Sequence, residues 1–159
     1  MDVITVLTQA MNLEKQGEEF YMDAAARSED QETAEMFQNL AADEQQHYDY
    51  IRRQLESHQA GESWIKIPEL DSVEAIDAEA PVFPKGLAPV KDLPSEPSMQ
   101  DALLFGLGAE VKSFELYSKS AKEADNEEAK KMFTKLASAE RGHFDTLMMR
   151  YESLFDYPH

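Results

Sequence analysis

The sequence contains no cysteine among its 159 residues. Without thiols the chain cannot form disulfides, use a cysteine nucleophile, or bind zinc or iron through sulfur. Any metal that this chain binds must therefore be held by oxygen and nitrogen ligands.

Basic residues are scarce: 15 lysines and arginines stand against 32 aspartates and glutamates, which gives a formal net charge of −17. This charge repels phosphate backbones and anionic membrane surfaces and attracts cations. We therefore expect no nucleic-acid partner.

Long apolar runs are also absent. The longest, ALLFGLGA at residues 102–109, is far below the roughly 20 residues that a membrane span requires. The N-terminus has an acidic second residue and no basic region before an apolar stretch, so it does not resemble a secretion signal. We expect no membrane association and a cytoplasmic location.

Proline is nearly absent from two long segments. Six of the seven prolines lie between Pro68 and Pro97, and the seventh is Pro158, so the flanking segments are free to form long helices. The apolar spacing in them predicts helices at about residues 2–28, 31–57, 98–124 and 126–154. We predict an all-α single domain over residues 1–159, with helical hairpins at 2–58 and 98–154.

The segment between the hairpins, residues 61–97, is too long for a tight turn and suits a crossover that runs along a four-helix bundle. A short helix is expected around residues 72–78. Five apolar side chains are expected to pack on the bundle: Trp64, Ile67, Leu70, Phe83 and Leu87.

The two hairpins are related in sequence. A shift of 96 residues (140 − 44) superimposes the following pairs: Glu14 and Glu110, Glu19 and Glu115, Tyr21 and Tyr117, Phe37 and Phe133, Glu44 and Glu140, His47 and His143. This internal duplication predicts approximate twofold symmetry, with the second and third helices parallel.

Polar residues interrupt the apolar seam of every predicted helix. Glu44 and His47 are three residues apart and therefore share one helix face, as do Glu140 and His143. Glu14 continues the seam of the first helix, and Glu110 holds the same position in the third helix. We therefore predict that all four helices bring a carboxylate into the core.

Four buried carboxylates are costly unless their charge is neutralised. Two divalent cations cancel four negative charges, and the mixed oxygen and nitrogen ligands suit iron or manganese, with zinc as an alternative. A single E-x-x-H is more often an ion pair or a hydrogen-bonded histidine than a ligand set. Two copies at matched core positions favour a metal site.

Other side chains near the seam have different interpretations. Glu18 is expected to flank the site, because its repeat mate is Phe114 and not a carboxylate. Glu19 and Glu115 lie one step off the seam and are expected beside the ligands or at the surface. Three roles are open for Tyr21 and Tyr117. They could donate a hydrogen bond to a ligating carboxylate, carry an electron, or simply pack in the core.

Four further side chains have no repeat-based role. We expect His58 and His159 to face solvent, and we expect Met148 and Met149 to fill the core.

The motifs LEKQGEEFY with ADEQQHYDYI, and AEVKSFELY with SAERGHFDTL, resemble those of the rubrerythrin branch of the ferritin-like di-iron carboxylate superfamily. The resemblance covers both hairpins and implies a ferritin-like four-helix bundle. It also implies six metal ligands for two ions, most often iron: Glu14, Glu44, His47, Glu110, Glu140 and His143. Glu44 and Glu140 would bridge the ions.

Two features depart from that resemblance. Full-length rubrerythrins carry a cysteine-ligated rubredoxin domain, which a chain without cysteine cannot form. They also have an additional glutamate three residues after the first glutamate of the third helix, where this chain has Ser113. The chain is thus more similar to shorter rubrerythrin-like proteins.

The resemblance implies a redox enzyme that reduces hydrogen peroxide or dioxygen with electrons from a separate donor, such as a rubredoxin-like protein. One alternative is a ferroxidase or iron-storage protein, and another is a metal-free structural bundle. A homodimer is also expected.

Overall fold

Four long helices dominate a computed structural model that describes residues 2–75 and 79–155. They are α1 (Val3–Arg27), α2 (Gln31–Gln59), α3 (Met99–Glu123) and α4 (Glu127–Phe155), and a short 3-10 helix, Pro68–Ser72, lies in the crossover. The described residues form no strand. The predicted all-α class and the four helix positions are confirmed.

Short polar side chains determine where the helices begin. Asp2 and Asp30 accept hydrogen bonds from the free backbone N–H groups of the first turns of α1 and α2. Ser98 and Asp101 form a reciprocal capping box at the start of α3. The Asn126 side chain accepts from two N–H groups at the start of α4. These caps fix the registers on which the spacing of the core residues depends.

The helices pack as two hairpins, α1 against α2 and α3 against α4, and the hairpins meet chiefly through α1 and α3. The short connections force each pair to be antiparallel, and the long crossover makes α2 and α3 parallel. The four-helix bundle built from two hairpins is therefore confirmed.

Two apolar clusters fill the bundle, one toward each end. The first includes Leu7, Ile51 and Phe133, and the second includes Phe37, Leu40 and Leu103. Along every helix the predicted ligand positions lie between residues of one cluster and residues of the other. The polar residues are therefore enclosed by hydrocarbon at both ends.

The crossover first forms hydrogen bonds and ring contacts beside the first cluster and then packs against the second. The Gln54 side chain donates to the carbonyl of Ile65 at 2.7 Å and accepts from the N–H of Ile65 at 2.9 Å. The Trp64 ring packs edge-on against Phe133. Farther along, Phe83 and Val90 pack against the second cluster. The crossover thus runs along the bundle as expected.

Several local expectations are wrong. The short helix lies at Pro68–Ser72, earlier than expected, because Pro68 favours its first turn; residues 76–78 of the expected range are outside the described part. Leu87, expected to pack on the bundle, is 36% exposed. Met149, expected to fill the core, is 73% exposed, whereas its neighbour Met148 packs on the second cluster as expected.

The expectation for His58 is also wrong. Its ring packs against Trp64 with centroids 4.6 Å apart, and its Nδ1 lies 2.9 Å from the carbonyl oxygen of Gln54. His159 lies outside the described residues. Among the described residues, none of the helices combines the length and the apolar character that crossing a membrane demands.

Candidate metal centre

Six ionisable side chains meet between the two apolar clusters. Each helix supplies one glutamate, and α2 and α4 each add a histidine one turn later. All six are only 1% to 6% exposed: Glu14, Glu44, His47, Glu110, Glu140 and His143. The structure therefore brings together every side chain that the sequence predicts as a ligand.

These side chains form two overlapping groups. Glu14 and His47 share one group with Glu44 and Glu140, and the second group consists of Glu44, Glu110, Glu140 and His143. Within each group the potential ligand atoms all lie within 4.8 Å of one another. Because Glu44 and Glu140 belong to both groups, they have the positions that bridging carboxylates require.

Each histidine faces the opposite hairpin. His47 Nδ1 lies 3.0 Å from Glu140 Oε1, and His143 Nδ1 lies 3.0 Å from Glu44 Oε1. The two imidazole rings are nearly parallel, with centroids 5.8 Å apart. The crossed contacts link the hairpins at the centre of the bundle, where direct packing between α2 and α4 is sparse.

Two tyrosines complete this crossed arrangement. The Tyr21 hydroxyl donates to Glu110 Oε1 at 2.5 Å, and the Tyr117 hydroxyl donates to Glu14 Oε1 at 2.5 Å. Both rings are at most 1% exposed. The tyrosines therefore do more than pack, because each fixes the carboxylate of the opposite hairpin.

Burial and like charge act strongly on the central carboxylates. Burial and the neighbouring carboxylates, Glu140 and Glu14 foremost, raise the pKa of Glu44 well above its ordinary value. Burial and the carboxylates of Glu110 and Glu14 do the same to the pKa of Glu140. Without a cation, these two side chains therefore tend to hold protons.

The pKa values of the other two carboxylates, Glu14 and Glu110, shift in the opposite direction. Burial alone would raise the pKa of Glu14. The positive charge of His47, together with hydrogen bonds from His47 and Tyr117, lowers that pKa below the ordinary value. Burial likewise opposes a charged His47, yet Glu14 and Glu140 raise the pKa of His47 to about 10. In the metal-free protein, protonated His47 and His143 thus balance the negative charges of Glu14 and Glu110.

Two features of the site fit a pair of metal ions. Glu14 Oε2 and Glu110 Oε2 are buried without any hydrogen-bond partner, which is costly for an anionic oxygen. Ligand atoms at about 2.0 to 2.2 Å from a metal lie up to about 4.4 Å from one another, and the potential ligand atoms of each group all lie within 4.8 Å of one another. Small side-chain adjustments would therefore close each group around an ion.

One functional residue was not predicted from the sequence. Asp43 Oδ2 lies 3.0 Å from Nε2 of His143, on the side of the ring away from the centre. A carboxylate in this position fixes the tautomer and the orientation of a ligating imidazole. The signal was the aspartate directly before Glu44, but its repeat mate is Ala139, so the duplication did not reveal it.

The flanking residues lie outside the two groups, as expected. Glu18 lies 3.6 Å from Lys15 and belongs to neither group. Glu19 and Glu115 are exposed. Ser113 is 8% exposed and lines a cavity that reaches the centre.

Comparison with known proteins agrees with this geometry. A family model described as Rubrerythrin matches residues 5–151 of the chain. No curated protein matches the chain significantly.

One solved structure with a similar fold is that of a hypothetical protein from Pyrococcus furiosus. The two chains are 25% identical with a TM-score of 0.72, and the match covers 100% of this chain and 94% of the other.

Proposed function

The chain belongs to the rubrerythrin family, and from this premise we propose that it is a di-iron redox protein that reduces hydrogen peroxide, or dioxygen, with electrons from a separate donor. The observation that carries the proposal is the sharing of Glu44 and Glu140 between two four-residue groups at the buried centre. Such sharing would allow two cations to bind next to each other, and two adjacent redox ions match a two-electron reduction.

The residues divide naturally between two ions. Glu14 and His47 would hold one ion, Glu110 and His143 would hold the other, and Glu44 and Glu140 would bridge them. Bound iron supplies one electron from each ion. Manganese and zinc also suit these ligands, but zinc has no redox chemistry under these conditions.

The surrounding residues hold this arrangement in place. Tyr21 and Tyr117 orient the terminal carboxylates, and Asp43 orients His143. The two apolar clusters exclude water from both ends of the centre, which strengthens every electrostatic interaction inside. The bridging carboxylates, whose pKa values are raised, can hold protons whenever a cation is absent.

We propose that the electron donor is a separate molecule. The sequence has no cysteine with which to build a cysteine-ligated iron site, so the electrons would come from another molecule, such as a rubredoxin-like protein. We also propose that the protein acts as a homodimer in the cytoplasm.

The test is anaerobic loading with two ferrous ions, followed by rapid mixing with hydrogen peroxide or with dioxygen. Peroxide should oxidise both ions in one phase, much faster than it oxidises free ferrous ion. The His47→Ala variant should lose this phase, whereas His58→Ala, at a histidine far from the centre, should retain it. Oxidation at the rate of free ferrous ion would refute the redox assignment.

The alternative is a ferroxidase or iron-storage role, which the net charge of −17 favours because it attracts cations. Storage requires a hollow shell of many subunits. Size-exclusion chromatography with light scattering distinguishes the two, since a dimer would argue against storage and a large shell would support it.

A further inference from the structure

A cavity of about 970 Å³ opens along the groove between α1 and α3 and extends to the buried centre. Its inner end includes Glu44, Glu110 and Glu140, and the crossover forms its outer wall through Phe83 and Val90. This volume equals roughly thirty water molecules, at about 30 Å³ each in the liquid. It is far larger than peroxide or dioxygen needs and lies in the range of sites for organic ligands.

The walls are mainly hydrocarbon and aromatic. Phe20 and Phe105 meet with ring centroids 4.7 Å apart, and Phe20 also contacts Tyr21 at 5.2 Å. Phe83 adds a fourth aromatic ring from the crossover. Aromatic side chains favour aromatic ligands through offset and edge-to-face contacts.

The inner end has a different chemical character. Its polar groups include the carboxylates of Glu44, Glu110 and Glu140 and the hydroxyl groups of Ser113 and Tyr21, and Lys91 and Lys112 also line the cavity. Carboxylate and hydroxyl oxygens there accept hydrogen bonds from a ligand hydroxyl. A ligand with an aromatic ring and a hydroxyl group meets both requirements.

The crossover passes close to α3 beside the cavity. A Cβ added at Gly108 of α3 would lie 3.1 Å from Pro89 Cβ, so a larger residue there would require the crossover to shift slightly. A Cβ added at Gly17 of α1 would lie 3.2 Å from Glu44 Oε2. Glycine at this position leaves the path between the cavity and the bridging carboxylate open.

We propose that this cavity binds a small hydroxylated aromatic compound of the hydroquinone class, and that this compound is a direct reductant of the centre. The binding part rests on the cavity alone, and the reductant part rests on the proposed function. A hydroquinone loses two electrons and the protons of its two O–H bonds and becomes a quinone. Hydrogen peroxide takes up two electrons and two protons, its O–O bond breaks, and two waters form, so the reaction balances.

Binding is tested on zinc-loaded protein, in which no electron transfer occurs. Naphthol should bind with a micromolar or lower dissociation constant by isothermal titration calorimetry. Naphthalene, which has the same ring and no hydroxyl, should bind at least about tenfold more weakly, a difference of about 1.4 kcal/mol. The saturated alcohol decalol should also bind more weakly.

The Val90→Trp variant should fill the cavity and weaken naphthol binding at least about tenfold. The matched control is Val82→Trp, because Val82 is in the same crossover, is 77% exposed and does not line the cavity. A second variant, Phe83→Ala, removes an aromatic wall and should also weaken binding. Melting temperature and zinc content show whether each variant is folded and loaded.

Equal binding of naphthol, naphthalene and decalol would overturn the proposal. So would unchanged naphthol binding in both Val90→Trp and Phe83→Ala. If Val90→Trp instead converts a dimer to a monomer without affecting naphthol, the groove is a contact between two copies of the chain and the proposal fails.

The reductant part is tested with iron-loaded protein that peroxide has oxidised. Anaerobic mixing with naphthohydroquinone should yield one quinone per di-iron centre, and Val90→Trp should slow this step while Val82→Trp does not. Binding without oxidation of the hydroquinone would overturn the assignment of the reductant. A failure of the proposed function is seen separately, as ferrous protein that peroxide does not oxidise.

Discussion

Asp43 Oδ2 lies 3.0 Å from Nε2 of His143, whereas the repeat mate of Asp43 is Ala139, which has no carboxylate to offer His47. Elsewhere the centre is nearly symmetric: the glutamates, histidines and tyrosines all occur as matched pairs. The two proposed metal positions would therefore have the same kinds of ligand but differ in how their histidines are held.

This asymmetry predicts unequal metal affinities. The Asp43→Ala change should weaken binding at the His143 position about tenfold to hundredfold, the usual effect of losing a group that orients a ligand. Calorimetric titration with zinc or manganese should then show two clearly separated steps. Asp145→Ala, at an exposed aspartate two residues beyond His143 that pairs with Arg141, is the control. Equal weakening of both steps would contradict the prediction.

The tyrosine contacts predict a loss of stability in the metal-free protein. Tyr21→Phe removes the hydrogen bond to Glu110, and Tyr117→Phe removes the bond to Glu14. Each change leaves a buried carboxylate with one donor fewer and should lower the free energy of unfolding by about 1 to 3 kcal/mol in urea titrations. Tyr48→Phe, at a half-buried tyrosine of α2, is the control. A value near zero for both would mean that the hydroxyls only fill space.

The helices and the six clustered side chains could be predicted from the sequence for a simple reason. The helical period places Glu14, Glu44 and their repeat mates in the seam, and the duplication repeats the pattern. Residues whose role depends on tertiary position could not be predicted in this way. Asp43 acts across to α4, and Met149 differs from Met148 only because adjacent helical residues point in different directions.

The cavity is a second feature that could not be predicted from the sequence. The crossover forms its outer wall and passes close to α3 at Gly108, with Pro89 at the contact. An irregular segment has no period from which its path could be predicted. The composition of residues 61–97 predicted packing on the bundle but did not indicate which groove the segment would cover.

The protonation of the centre predicts how metal binding depends on pH. The pKa of His47 is raised to about 10 in the folded metal-free protein, against about 6.5 in the unfolded chain. This group therefore stabilises the metal-free fold fully below about pH 6.5, and its contribution is lost as the pH rises toward 10.

Metal binding needs the deprotonated histidine, so protons and metal compete. Both histidines and the two proposed bridging glutamates have raised pKa values, so binding two ions should release up to four protons (2 + 2). The rise in melting temperature caused by zinc or manganese should therefore be larger at pH 8 than at pH 6. Calorimetry in buffers with different ionisation enthalpies counts the released protons, and a pH-independent rise would contradict this account.

A substitution at Gly17 should separate the effect on metal binding from the effect on the stability of the fold. In the Gly17→Ala variant the new Cβ would lie 3.2 Å from Glu44 Oε2, and that oxygen is at the end of a flexible side chain. The carboxylate can move by a few tenths of an ångström, so the fold should survive and gain about 0.5 to 1 kcal/mol from the better helix former. The displaced Glu44 oxygen should, however, weaken metal binding.

Gly142→Ala is the matched control, because Gly142 is in α4 within the same E-x-x-H segment and a Cβ there meets nothing within 4 Å. Both variants should unfold at slightly higher urea concentrations than the wild type when metal is absent. Only Gly17→Ala should show a smaller gain in melting temperature on adding zinc or manganese. Equal metal responses in the two variants would mean that Glu44 binds metal from a position that the added methyl group does not disturb, and the bridging geometry derived for Glu44 would then be wrong.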